Sequence, residues 1–252
     1  MSIAKLNDLI DHEKFNHHYQ ALYDLQTLTT IGYKAYLQTN VFKNLDILFD
    51  KVSNSSRFFE LEIRSLRKAL YEYNKLSVEK KLFLNVYPLN LIHAGMIQYL
   101  DFFIEKTDLT PSQLTLEIKE VDIKECSSMM TDTIQTLQQH GYQIALDNVG
   151  KQVSSIQAVL ELNPDYVKMD RFFAKDLATA VEKQEMIRSI VTYCMHTNTQ
   201  LILKGVEIPE DLDMAKSMGI SIIQGDLLAR PEPFSVVKKY ELKQEGNIAS
   251  NE

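Results

Sequence analysis

The chain has 252 residues, of which 45% are apolar and 24% charged, and its formal charge is −7. This size and apolar content suit one domain with a full core, and the acidic balance leaves no basic footprint for nucleic acid. No stretch approaches about 18 consecutive apolar residues, which excludes a membrane-spanning helix. In chain order, residues 19–25 and 30–37 read as two strands joined by a short turn, an antiparallel opening pair. Residues 41–51 read as helical. A helix over 58–73 follows from its period: Phe58, Leu61, Leu66, Ala69, Leu70 and Tyr73 share a face, with Glu62, Arg64 and Lys68 outside it. A strand over 82–86 precedes a helix over 91–104 that follows Pro88, and 114–118 is the next strand.

Ser127 and Ser128 can cap a helix that runs to about His140, where Gly141 stops it and a strand over 142–146 begins. Ser154 and Ser155 open a helix to Leu162, and Pro164 precedes a strand over 166–169. The remaining elements are a helix over 182–197, a strand over 201–203, a helix over 209–218 with Pro209 in its first turn, and a last strand over 220–223. The polar end from 244 reads as disordered. Strands alternating with helices imply a mostly parallel sheet covered by helices. Polar strand ends are spread along the whole chain, which favours a barrel over an open doubly wound sheet. The expectation is a single α/β domain, a modified TIM-type (β/α)8 barrel with an antiparallel first strand. It would occupy residues 15–237, between an N-terminal extension (1–14) and a disordered tail (238–252).

Six apolar runs end in a residue able to do chemistry: Lys34, Asn85, Glu117, Asp147, Lys168 and Lys204, with Gln224 closing a shorter seventh. The carboxyl ends of parallel strands are where a β/α barrel keeps its site. Asn85, Glu117 and Asp147 have the oxygen chemistry of hard-metal ligands, whereas Lys34 and Lys204 oppose a cation. No glycine-rich phosphate loop occurs, and Gly205 and Gly225 are isolated turn glycines. Residues 1–13 lack the basic region and apolar core of a secretion signal. Cys126 and Cys194, far apart and without metal-type spacing, read as reduced thiols of a cytoplasmic protein. His17 and His18 are adjacent, a poor ligand geometry, and the histidines read as surface or partly buried. Met129, Met130, Met186, Met195, Met214 and Met218 sit at helical spacing and read as core filler.

The strand ends also carry a series of strings in order: Gly32-Tyr33-Lys34-Ala35-Tyr36-Leu37, Leu84-Asn85-Val86-Tyr87-Pro88, Leu116-Glu117-Ile118, Asp147-Asn148-Val149-Gly150, Lys168-Met169-Asp170, Lys204-Gly205-Val206-Glu207 and Gln224-Gly225-Asp226. From about Tyr19 to Pro233 the chain resembles the EAL domain, whose active members are Mg- or Mn-dependent cyclic di-GMP phosphodiesterases. The resemblance implies metal ligands at Asn85, Glu117 and Asp147, and nucleotide contacts at Gln20, Tyr36, Gln38, Pro88, Asp170, Glu207 and Gln224. It also exposes departures. Lys34 stands for the motif's metal-binding Glu, and Tyr36 for its Leu. Gln38 replaces a phosphate-gripping Arg, Asn148 replaces the second of two aspartates, and Lys204 replaces a Glu that serves metal and water. Lys168 is kept.

Two-metal hydrolysis needs carboxylates bridging two divalent ions. The replacements at 34, 148 and 204 make the pocket about five charge units more positive than the family's. The surviving donors (Asn85, Glu117, Asp147) are too sparse for two ions, so no resident cofactor is expected. Lys34 and Lys204 are expected to pair with Glu117 and Asp147. The blander readings are that Asn85 and Glu117 are strand-end hydrogen-bonders, that Lys168 is an interior charge partner, and that Glu207 and Gln224 are turn residues. The functional expectation is a catalytically inactive regulatory protein acting through protein contacts in cyclic di-GMP-related bacterial signalling. Its protein partner is not named by the sequence, and a homodimer is one option. The alternatives are a receptor that binds cyclic di-GMP without cleaving it and, last, a residual phosphodiesterase.

Overall fold

The computed structural model describes residues 3–42, 49, 57–119, 127–151 and 155–249. Strands β1 (Asn16–Asp24), β2 (Thr30–Gln38), β3 (Lys81–Val86), β4 (Leu114–Lys119), β5 (Gln143–Val149), β6 (Tyr166–Met169), β7 (Gln200–Lys204) and β8 (Ile222–Gln224) close into a barrel. Strands β2 to β8 run parallel in chain order, and β1 closes the ring by pairing antiparallel with β2 and with β8. A two-residue strand β9 (Glu232–Pro233) extends the β1 edge. The expected architecture, including the reversed first strand, is therefore the observed one.

Alternate residues along each strand go to different places. Outward residues such as Ala35, Leu84, Leu116, Leu146, Val167 and Leu203 join the large core shared with the helices. Inward residues Leu22, Phe83, Ala145, Tyr166, Ile202 and Ile222 form a separate apolar plug inside the ring. One inward step toward the carboxyl ends, the plug gives way to Lys34, Glu117, Asp147, Lys168, Lys204 and Gln224. That two-residue period is why a barrel lined by apolar side chains can carry a charged floor at its mouth.

Several expectations need correction. The helix expected over 91–104 is two helices, Pro88–Leu91 and Met96–Glu105, broken by a turn in which Met96 N–H bonds the His93 carbonyl at 2.9 Å. Glu62, placed outside the apolar face of the helix Phe58–Tyr73, is buried. The tail expected to be disordered from residue 238 is helical as far as Ala249, in the helix Phe234–Ala249. Its Glu241 is buried and accepts hydrogen bonds from Tyr33 Oη and, at 2.6 Å, from Lys80 Nζ. Residues counted as an N-terminal extension form the helix Ile3–Asp11, whose Leu6, Leu9 and Ile10 pack with Phe58 and Leu61. Met130 is buried, but Met129, Met186 and Met195 are exposed, because helical spacing alone does not say which face meets the core. His17 is buried. Of the helix expected over 41–51, Val41 and Phe42 are not helical, Phe49 is, and the rest lies outside the described residues, as does Cys126; Cys194 is a free, half-buried thiol.

Candidate functional site at the barrel mouth

The site is built where β2, β4, β5, β6 and β7 end. Glu117 on β4 is fully buried, and each of its oxygens accepts a hydrogen bond from a lysine: Oε2 from Lys34 Nζ on β2 and Oε1 from Lys168 Nζ on β6. Asp147 on β5 is shared in the same way. Its Oδ2 lies 3.4 Å from Lys34 Nζ, and its Oδ1 accepts from Lys204 Nζ at 2.6 Å and from the Asn148 backbone N–H at 2.8 Å. Lys204 also donates to Asn148 Oδ1. Asn148 holds a left-handed backbone, φ 66°, which asparagine tolerates better than most residues. Three ammonium groups thus serve two carboxylates in one buried lattice.

The protonation states follow from this arrangement. Burial opposes the charged form of Lys34, but Glu117 and then Asp147 outweigh it and hold the ammonium above its ordinary value. Burial would raise the Asp147 carboxyl, yet Lys34, Lys168 and Lys204 together hold it well below the carboxylate range. Lys168 differs: burial, aided by the neighbouring Lys34 charge, pushes it down to about 8 despite Glu117. Of Lys34 and Lys168, it is Lys168 that gives up its proton more readily.

Above the lattice, polar side chains from β1, β2 and β8 lock together. Tyr36 Oη donates to Gln20 Oε1 at 3.0 Å, and Gln224 Nε2 reaches Gln20 Oε1 at 2.9 Å and Tyr36 Oη at 3.0 Å. Gln20 Nε2 in turn donates to Asp226 Oδ1 at 3.2 Å and to the Ala229 carbonyl at 2.9 Å. The loops after β7 and β8 are held close, since a Cβ at Gly225 would strike the Val206 backbone. Asp226 and Ala229 were not legible as partners of Gln20, because the contacts span more than 200 residues and no local pattern signals them.

The structure gathers Gln20, Tyr36, Asp170, Glu207 and Gln224 around one cavity of about 460 Å³, with Asn148 and Lys204 in its lining. Asp170 is engaged as the cap of the helix Arg171–Ala174, accepting from Phe172 N–H at 2.9 Å. Asn85 and Gln38 instead line a neighbouring cavity of about 290 Å³, and Tyr36 lines both. Pro88 is buried in the first turn of the helix Pro88–Leu91.

The donor set does not fit a pair of divalent ions. Every oxygen of Glu117 and Asp147 contacts an ammonium group. A divalent ion ~4 Å from an ammonium would be repelled by about 8 kcal/mol at an effective dielectric of ~20. Among the described residues no group of three or more His, Cys, Asp or Glu is arranged to hold a metal.

The model of the EAL domain matches residues 3–231. The probable cyclic di-GMP phosphodiesterase PdeA of Escherichia coli (strain K12) is 24% identical over 183 residues, which cover 72% of this chain and 25% of PdeA. The blue light- and temperature-regulated antirepressor BluF of the same organism is 24% identical over 153 residues, 60% of this chain and 38% of BluF. The chain therefore spans well under half the length of either relative. Among solved structures, the EAL enzyme Bd1971 in its cAMP- and cyclic-di-GMP-bound form superposes with a TM-score of 0.87 at 19% identity, covering 94% of this chain and 67% of that one. That likeness concerns the fold, and the match of the domain model concerns the sequence. Together with the ordered strand ends they establish that the chain belongs to the EAL domain family.

Proposed function

We propose that this EAL domain does not hydrolyse cyclic di-GMP and acts instead as a regulatory protein, through protein contacts, in cytoplasmic bacterial signalling related to that nucleotide. The observation that carries the reading is the pairing of Lys34 and Lys168 with Glu117, and of Lys34 and Lys204 with Asp147. Ammonium groups stand where the chemistry of active members needs divalent cations. Tyr36, hydrogen-bonded to Gln20 and Gln224, takes up room at the mouth beside Lys204. BluF, a relative named as an antirepressor, is consistent with a regulatory use of the fold, although fold alone does not assign function.

A second reading, a receptor that binds cyclic di-GMP without cleaving it, is favoured by the 460 Å³ cavity that still joins Gln20, Asp170, Glu207 and Gln224 to the Lys204 ammonium. One experiment separates the readings. Calorimetry with cyclic di-GMP is run with and without Mn²⁺, with the products analysed chromatographically. Neither heat nor product is expected from the regulatory protein. Heat without product selects the receptor, and conversion to the linear dinucleotide overturns the proposal.

A further inference from the structure

The helix Phe234–Ala249 lies on the outside of the barrel against β1, and its first turns have two different faces. Val237 and Glu241, one turn apart, are buried, at 5% and 4% exposure. Glu241 is held there by Tyr33 Oη and Lys80 Nζ, and the Phe234 ring meets Tyr19 with centroids 6.0 Å apart. These contacts fix the roll of the helix. The opposite stripe, at the i, i+3, i+4, i+7 spacing of a helix face, is Val236, Lys239, Tyr240 and Lys243. All four are exposed, Val236 by 45% and Tyr240 by 47%.

The stripe carries charge of one sign. Residues 234–243 hold three lysines, Lys238, Lys239 and Lys243, and one acid, Glu241, which is buried and already paired with Lys80. None of the three lysines has an ion-pair partner among the described residues. The chain as a whole carries −7, so this is a cationic, partly apolar strip on an acidic protein. A membrane-surface helix sinks its wide apolar face into lipid, whereas here that face is already engaged by the barrel. A second copy using the same face would bring these lysines against themselves. Nucleic acid needs a broader basic footprint than three lysines on an acidic chain. An acidic protein segment meets the strip on both counts: carboxylates pair with Lys239 and Lys243 while apolar side chains cover Val236 and Tyr240.

We propose that this stripe is the docking surface for an acidic amphipathic helix of a partner protein, whose Asp and Glu side chains meet Lys239 and Lys243 while its apolar side chains pack on Val236 and Tyr240. The inference rests on the reading that the chain acts through protein contacts, and it assigns those contacts to the outer wall of the barrel, not to its mouth. Because Glu241 and Phe234 hold the helix in place beforehand, little ordering accompanies binding.

The test uses the full chain and two helical peptides of about 16 residues, one built of Leu, Ala and Glu and one with every Glu replaced by Lys. Binding is read by fluorescence anisotropy and by amide NMR shifts. The acidic peptide is expected to bind, to shift residues 235–243, and to weaken as added salt screens the exposed charges; the basic peptide is expected not to bind. Lys239→Glu combined with Lys243→Glu is expected to lower the affinity for the acidic peptide at least about tenfold, and Val236→Ser by about threefold. These positions are exposed, and such substitutions leave stability nearly unchanged. No acidic-peptide binding at millimolar concentration, equal binding of the basic peptide, or an affinity untouched by the double substitution would each overturn the assignment. So would retention on phosphatidylserine vesicles, or a dimer in sedimentation, that the double substitution abolishes in the absence of peptide binding; the stripe would then face lipid or a second copy. Product from cyclic di-GMP in the calorimetric experiment would remove the regulatory reading, whereas a silent peptide without such product would remove the docking surface alone.

Discussion

Reversing one charge in the lysine lattice probes it most sharply. Lys34 Nζ touches Glu117 and lies 3.4 Å from Asp147, with its side chain 5% exposed. Lys34→Glu turns both attractions into repulsions and sets a third carboxylate beside two others. At an effective dielectric of ~20 and a separation of ~4 Å, each pair is worth about 4 kcal/mol, so the full reversal would cost more than such a domain can bear. Relaxation limits the cost: one carboxyl can take a proton, or the new side chain can turn toward the cavity. Removing a partner from a buried ion pair typically costs about 3–5 kcal/mol. For a chain of this size each kcal/mol moves the melting temperature by roughly 2–4 °C, so a fall of roughly 6–20 °C is expected. The assay is scanning calorimetry in chelator-treated buffer, followed by the same scan with added Mn²⁺. Because the substitution restores a carboxylate, Mn²⁺ should recover part of the loss in the variant while leaving the parent unmoved. A melting temperature within about 2 °C of the parent would refute the claim that Lys34 holds these two carboxylates together.

Four further outcomes follow from the structure. Glu62 has its carboxyl raised from 4.5 to about 8, so it contributes stability that is complete below pH 4.5 and is lost as pH rises to about 8. Glu62→Gln should flatten that slope in a pH series of denaturant melts, gaining on the parent across this window. Asp147 has the opposite sign. Burial raises its carboxyl but the lysines hold it below 3.8, so its contribution is present above pH 3.8 and disappears as pH falls below that value, a loss that Asp147→Asn should abolish. Tyr36→Leu removes the hydroxyl bonded to Gln20 and Gln224; it should cost about 1–2 kcal/mol by denaturant melt and raise affinity for cyclic di-GMP by calorimetry, without product. Gly32→Ala should destabilise by about 1–3 kcal/mol, because the added Cβ meets the Lys81 carbonyl across the β2–β3 pair.

The barrel was legible because its signal is local. Each apolar run gives a strand, and the polar residue that ends it marks the mouth. What lay beyond reach was set by pairs distant in sequence. The charges of Lys34 and Glu117 could be matched on the page, and Lys168 could be read as an interior charge partner, but that its carboxylate is also Glu117 depends on barrel curvature that no single string records. Glu62 was misplaced because a charged residue beside an apolar stripe is usually solvated; here the Tyr87 amide draws it inward. The last helix looked disordered because its sequence is polar, yet Phe234 and Val237 pack on the core and the buried Glu241, held by Tyr33 and Lys80, ties it to the barrel. Asn85 and Gln38 line the second cavity, which Tyr36 shares with the mouth, a division that no single string records.

The central claim is that ammonium groups occupy the space of the family's cations. The direct measurement is anomalous diffraction from crystals of the protein soaked in manganese, collected near the metal edge. The account predicts no anomalous peak within contact distance of Glu117 or Asp147, with Lys34 and Lys204 still on their carboxylates. Two strong peaks beside Asp147, with the lysines displaced, would contradict it.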